Sequence, residues 1–108
     1  MAQTSVKSIA MSSFSSASLT GSYQVVNTGG IPKACFLLRV TNAGSTTVTF
    51  SLDGVSDTDQ VPAGQSCAVN AQANGQPSAQ EALWAIGTTI YVKGTAGTGN
   101  ISVSGYYV

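Results

Sequence analysis

Apolar and polar residues alternate along most of this chain in short runs broken by Gly, Asn, Pro and Asp, the period-two signature of strands with one buried face. The plainest run is Thr47-Val48-Thr49-Phe50-Ser51-Leu52, which assigns Val48, Phe50 and Leu52 to a core. In residues 34–41, Phe36, Leu38 and Val40 share one face, while Cys35 and Leu37 make the opposite face apolar too. Such a strand is expected at the centre of its sheet or under a subunit contact. Leu19, Gly21, Tyr23 and Val25 form another alternating run, stopped by Asn27-Thr28-Gly29-Gly30, whose glycines supply the positive φ of a reversal. A second reversal at Val61-Pro62-Ala63-Gly64 leads into Cys67, Val69 and Ala71, followed by a loop over residues 72–80. Runs at 82–86 and 89–93 flank Gly87; helix formers in Gln80-Glu81-Ala82-Leu83-Trp84-Ala85 leave a short helical turn open as an alternative for the first. The last run, 101–108, sets Val103, Gly105 and Tyr107 on one face.

The N-terminal stretch differs. Residues 6–11 suit a first short strand, whereas residues 12–18 are serine-rich and offer a core only Phe14, which predicts a loop or arm. The chain divides accordingly into a polar N-terminal strand or arm, 1–18, and a sandwich domain, 19–108, within the size of one folding unit. The strand candidates recur at roughly the 8 to 12 residue spacing of sandwiches and barrels. The predicted fold is all-β, an antiparallel β-sandwich, jelly-roll-like, of about eight strands.

Charge narrows the function. Four Lys or Arg and four Asp or Glu make up 7% of the chain and cancel to a net charge of zero, where an average domain carries about a quarter of its residues as charges. A free protein with so few surface ions has weak electrostatic protection against self-association, whereas a subunit covered by neighbours needs little. Burial in an assembly is the expectation, with a soluble domain hydrated by its 15 Ser and 12 Thr as the alternative. Lys7, Lys33, Arg39 and Lys93 stand singly, so no basic stripe exists to neutralise several phosphates, which excludes nucleic acid as a principal ligand. No apolar run approaches the roughly 18 to 20 residues that cross a bilayer, and residues 1–11 lack the apolar centre of a secretory signal. No membrane partner is expected, and synthesis in a cytoplasm follows.

Candidate chemistry is sparse. With no histidine, the usual nucleophile–base pairs cannot form, and Cys35 and Cys67 cannot complete a structural zinc site. Both cysteines fall in strand-like runs and are expected as buried, reduced thiols. Asp53, Asp57 and Asp59 crowd one turn-rich segment with Glu81 apart, which does not suit the carboxylate pair of a glycosidase. That segment also lacks the spacing of a calcium loop and reads as ordinary turn chemistry. Gly94-Thr95-Ala96-Gly97-Thr98-Gly99 is followed by a strand, not by the helix a phosphate cradle requires, and reads as a β-hairpin tip. Trp84, Tyr91, Tyr106 and Tyr107 are candidates for an aromatic sugar platform, with core or subunit contact accounting for them equally well. No enzyme activity, catalytic residue, metal ligand or cofactor is expected.

Several stretches carry a family likeness: Thr4-Ser5-Val6-Lys7, Gly30-Ile31-Pro32-Lys33-Ala34-Cys35-Phe36, Ser51-Leu52-Asp53-Gly54-Val55-Ser56-Asp57, Val61-Pro62-Ala63-Gly64, Ile90-Tyr91-Val92-Lys93-Gly94-Thr95-Ala96-Gly97-Thr98-Gly99 and Gly105-Tyr106-Tyr107. Through them the chain resembles small β-rich virion proteins of tailed phages. The resemblance implies a particle component made in the host cytoplasm and located in the virion. Similarity to capsid decoration, or cement, proteins implies a jelly-roll-like sandwich bound in many copies over the joints between major capsid subunits. The expected partners are the major capsid protein or other virion proteins, together with further copies in a homo-oligomer. The arm around Phe14 and the C-terminal Tyr106, Tyr107 and Val108 are the candidate assembly contacts, the alternative being that these aromatics complete the core. A tail or fibre module that binds a receptor or glycan is the second functional expectation.

Overall fold

The computed structural model describes residues 6–70 and 83–107, in which nine strands form two antiparallel sheets. In chain order they are β1 (Lys7–Ser8), β2 (Ser12–Ser15), β3 (Gln24–Val25), β4 (Leu37–Asn42), β5 (Val48–Ser51), β6 (Asp59–Val61), β7 (Ser66–Asn70), β8 (Tyr91–Gly94) and β9 (Asn100–Tyr107). The first sheet has the order β1-β9-β4-β7 with β2 also on β9; the second has the order β3-β8-β5-β6.

The pairings are nested. β5 pairs with β6, β4 with β7, β3 with β8, and β1 and β2 both with β9. A chain paired in this way is one long antiparallel hairpin, and rolling it up adds the β4–β9 and β5–β8 contacts that join the strands into two sheets. That arrangement is the jelly roll. The ninth strand arises because the first edge strand is interrupted: β1 lies against Tyr106 and Tyr107, and β2 against residues 100–103. Between them the Ile9 N–H still donates to the Gly105 carbonyl at 3.0 Å.

The core follows from the alternation. Leu38, Val40, Ile101 and Val103 of the first sheet face Val48, Phe50, Val61 and Val92 of the second, all of them buried, with Leu19, Val26, Ile31, Cys35 and Ile90 filling the ends. Each such side chain contributes about 1.5 to 3 kcal/mol on leaving water. β4 is central, between β7 and β9, but the expected facing of residues 34–41 holds only from Leu37 on: a bend at Phe36 interrupts the alternation and turns Cys35 into the core beside Leu38, leaving Phe36 half-buried. Glycine stands at 105 because a Cβ there would approach Leu38 Cδ2 to 2.9 Å and Cys35 Sγ to 3.1 Å, so a core leucine and thiol occupy the space.

Four further expectations are corrected. Residues 12–18 are a strand followed by a 3-10 turn at Ser16–Ser18, because main-chain pairing with β9 holds a segment whose side chains offer the core little. The run at 19–25 shrinks to Gln24–Val25, since Thr20 Oγ1 bonds the Ser22 backbone and makes a local turn. It is Val26, not Val25, that is buried there. The described part of 82–86 is no strand: Trp84 makes a single bridge to Cys35, and a turn at residues 85–88, with Gly87 at φ 92°, bends the chain away. Residues 94–99 are no hairpin tip either, for they cross from β8 in the second sheet to β9 in the first. Ala71, Ala82, Val108 and the loop at 72–80 lie outside the described residues.

Candidate functional site

The densest polar construction is the loop between β5 and β6, which folds back over the outer face of the second sheet. Val48 and Phe50 point inward, so Ser51 points outward, yet it is fully buried because the loop covers it. Its hydroxyl donates to Asp53 Oδ1 at 2.8 Å and accepts from the Gly54 N–H at 2.9 Å. Asp53 Oδ1 also accepts the N–H groups of Val55 and Ser56 at 2.8 and 2.9 Å. These two backbone donors, and then Ser51, hold the Asp53 carboxyl below its ordinary range.

The far end of the loop is fastened by Asp57, which accepts from the Tyr23 hydroxyl and pairs with the Lys93 ammonium at 3.0 Å. The same ammonium stands 4.7 Å from the centroid of the Tyr23 ring. Tyr23 precedes β3 and Lys93 lies outward on the adjacent β8, so sheet pairing brings them together. The Tyr23 hydrogen bond, followed by Lys93, lowers the Asp57 carboxyl; desolvation, followed by Asp57, pushes the Tyr23 phenol up to about 12. The result is a fixed loop with Val55 at its tip, 82% exposed. Sequence reasoning missed it because Tyr23, Asp57 and Lys93 are distant in the chain, although an apolar residue set between aspartates in Asp53-Gly54-Val55-Ser56-Asp57 was a readable signal.

The expected assembly residues are dispersed. Phe14 lies on β2 opposite Ile101 and packs half-buried against the core. Tyr107 also packs against the core, with the Lys33 ammonium 6.0 Å from its ring centroid. Tyr106 points outward from the first sheet, paired with Leu37 of β4 on one side and Ser8 of β1 on the other. Val108 lies outside the described residues.

The four aromatics of the sugar-platform expectation do not converge. Tyr91 faces outward from the second sheet under Gly54, and Tyr106 outward from the first. Trp84 is half-buried and donates from Nε1 to the Val69 carbonyl at 3.1 Å. Cys35 and Cys67 are free thiols. Burial pushes both upward, reinforced at Cys67 by the charge of Asp59, so the reactive thiolate is suppressed at each. Among the described residues no group of three or more Cys, Asp or Glu side chains is placed to hold a metal.

The outer face of the first sheet is built from small or hydroxyl-bearing side chains: Ser13, Thr41, Ser66, Ala68, Ser102 and Ser104 surround Arg39, Leu37 and Tyr106. A face of short side chains around one Arg, one Leu and one Tyr suits protein contact. Comparison with protein-family models, with curated proteins and with solved structures finds no match for the chain.

Proposed function

We propose that this chain is a non-enzymatic structural subunit of a phage particle, a capsid decoration or cement protein that binds in many copies and stabilises the major capsid lattice. The observation that carries the reading is the jelly-roll sandwich whose first sheet turns Arg39 outward among short uncharged side chains. Jelly rolls serve both viral capsids and lectins, so the fold does not choose between them. The placement of Tyr91 and Tyr106 on opposite outer faces favours a protein contact over a saccharide groove. Many weak contacts repeated by symmetry then supply avidity without any single strong site. The family resemblance supplies the identity of the partner.

Electron micrographs of intact particles carrying the chain test this. Density for the sandwich repeated over the joints between capsid subunits is expected. Density confined to the tail, or none on the particle, would contradict the proposal.

A further inference from the structure

Opposite charges stand on the two outer faces of the sandwich. Arg39 points outward from the first sheet and Asp53 and Asp57 lie in the loop over the outer face of the second, whereas Lys7 is paired with Tyr107, Lys33 stands at the Tyr107 ring and Asp59 is paired with Phe50, so these three lie on neither outer face. Lys93 neutralises Asp57 within the second sheet, leaving Asp53 and Asp59 without an ion pair among the described residues. The outer face of the first sheet thus carries the charge of Arg39, and the loop over the outer face of the second carries that of Asp53.

Each face also presents an apolar group two residues from its charge. Beside Asp53 it is Val55, the most exposed large hydrophobic residue among those described, in the loop that begins with Asp53. Beside Arg39 it is the cross-strand pair of Leu37 and Tyr106, with Arg39 next along the same outward row of β4. A lone exposed valine is ordinary on a protein surface. Here the loop behind it is fixed by its own hydrogen bonds and by the Asp57–Lys93 ion pair, so docking costs it little further ordering. The two patches lie on opposite outer faces of the sandwich, and one copy cannot satisfy both by itself. A contact between unlike patches leaves one of each open at the ends, and so extends into a row or closes into a ring.

We propose that copies of this chain dock head to tail, the Val55 tip of one seated on the Leu37–Tyr106 pair of the next with Asp53 facing Arg39. The inference rests on the structural-subunit reading and specifies how neighbouring subunits touch. An exposed ion pair adds little affinity, so the apolar contact supplies the adhesion and the charges set the orientation.

Two exposed substitutions, Val55→Lys and Arg39→Glu, each remove one half of the contact, and circular dichroism checks that both variants keep the fold. In sedimentation velocity the wild-type chain should form species heavier than its 10.9 kDa protomer as concentration rises, while each variant alone stays at protomer mass. An equal mixture of the variants should yield a dimer, because the intact tip of the Arg39→Glu chain meets the intact patch of the Val55→Lys chain. A wild-type chain that remains a protomer, variants that associate as it does, or a mixture without dimer would overturn the head-to-tail contact. Co-sedimentation of the wild-type chain with capsids reads the subunit role separately. Capsid binding by a chain that stays a protomer in solution overturns this contact alone, and self-association without capsid binding overturns the capsid role alone.

Discussion

Asn42 shows how much a single polar side chain does in this sandwich. It is fully buried; its Nδ2 donates to the Thr46 and Val61 carbonyls at 2.7 and 2.9 Å, and its Oδ1 accepts the Gly44 N–H at 2.9 Å. Asn42→Ala leaves these backbone groups unpaired and should lower stability by about 3 kcal/mol in urea unfolding, where a surface Asn→Ala change costs far less. Asn27 acts similarly, donating to the Thr88 carbonyl and accepting the Ile90 N–H just beyond the end of the β3–β8 ladder. The sequence suggested a turn at Asn27, because a turn residue and a buried stand-in for backbone look alike until the distant strand is in place. Val48 and Phe50, by contrast, were legible as core residues, since alternation alone decides them. Titration behaviour follows from the loop clamp. A lowered Asp57 carboxyl contributes stability at pH values above the ordinary carboxylate 3.8, lost as pH falls through its depressed folded value. A raised Tyr23 phenol contributes below 10.0, lost as pH climbs through about 12. Ultraviolet titration of the phenols should therefore find Tyr23 ionising near 12, and Asp57→Asn should move it part of the way back toward 10.0. An unmoved Tyr23 in that variant would mean that burial alone sets its value.

Strands are unequal in what holds them. β4 and β9 are central, paired along six residue positions, and contribute Leu38, Val40, Ile101 and Val103 to the core. β1 and β3 are two-residue edge strands. Amide exchange should accordingly be slowest in β4 and β9 and fastest in β1 and β3, because opening an edge exposes little apolar surface. Uniform exchange across both sheets would contradict this. The same inequality decided what could be read in advance. Strands that bury one face advertise it by alternation, as β5 and β9 do. Ser12–Ser15 is held by backbone pairing with β9, for which residue type leaves almost no trace, and so resembled an arm. The strand order was equally hidden, since it depends on pairings between distant segments such as β3 with β8.

At the scale of the whole molecule, the jelly roll and the scarcity of charge are the features on which the proposed structural role rests. Few ions means little repulsion between copies, and the two outer faces differ enough for neighbours to meet in one orientation. The fold class was accessible from periodicity and turn spacing, but the placement of the surface groups was not. Phe14 and Tyr107 turned out to pack on the core, and the Val55 tip depends on a clamp assembled from three distant parts of the chain. A cement subunit must hold capsid subunits together against heat, so the decisive comparison is the temperature at which capsids rupture with and without the purified chain. A rise that saturates once the lattice sites are filled is the predicted result, and an unchanged rupture temperature at saturating chain would contradict the assignment.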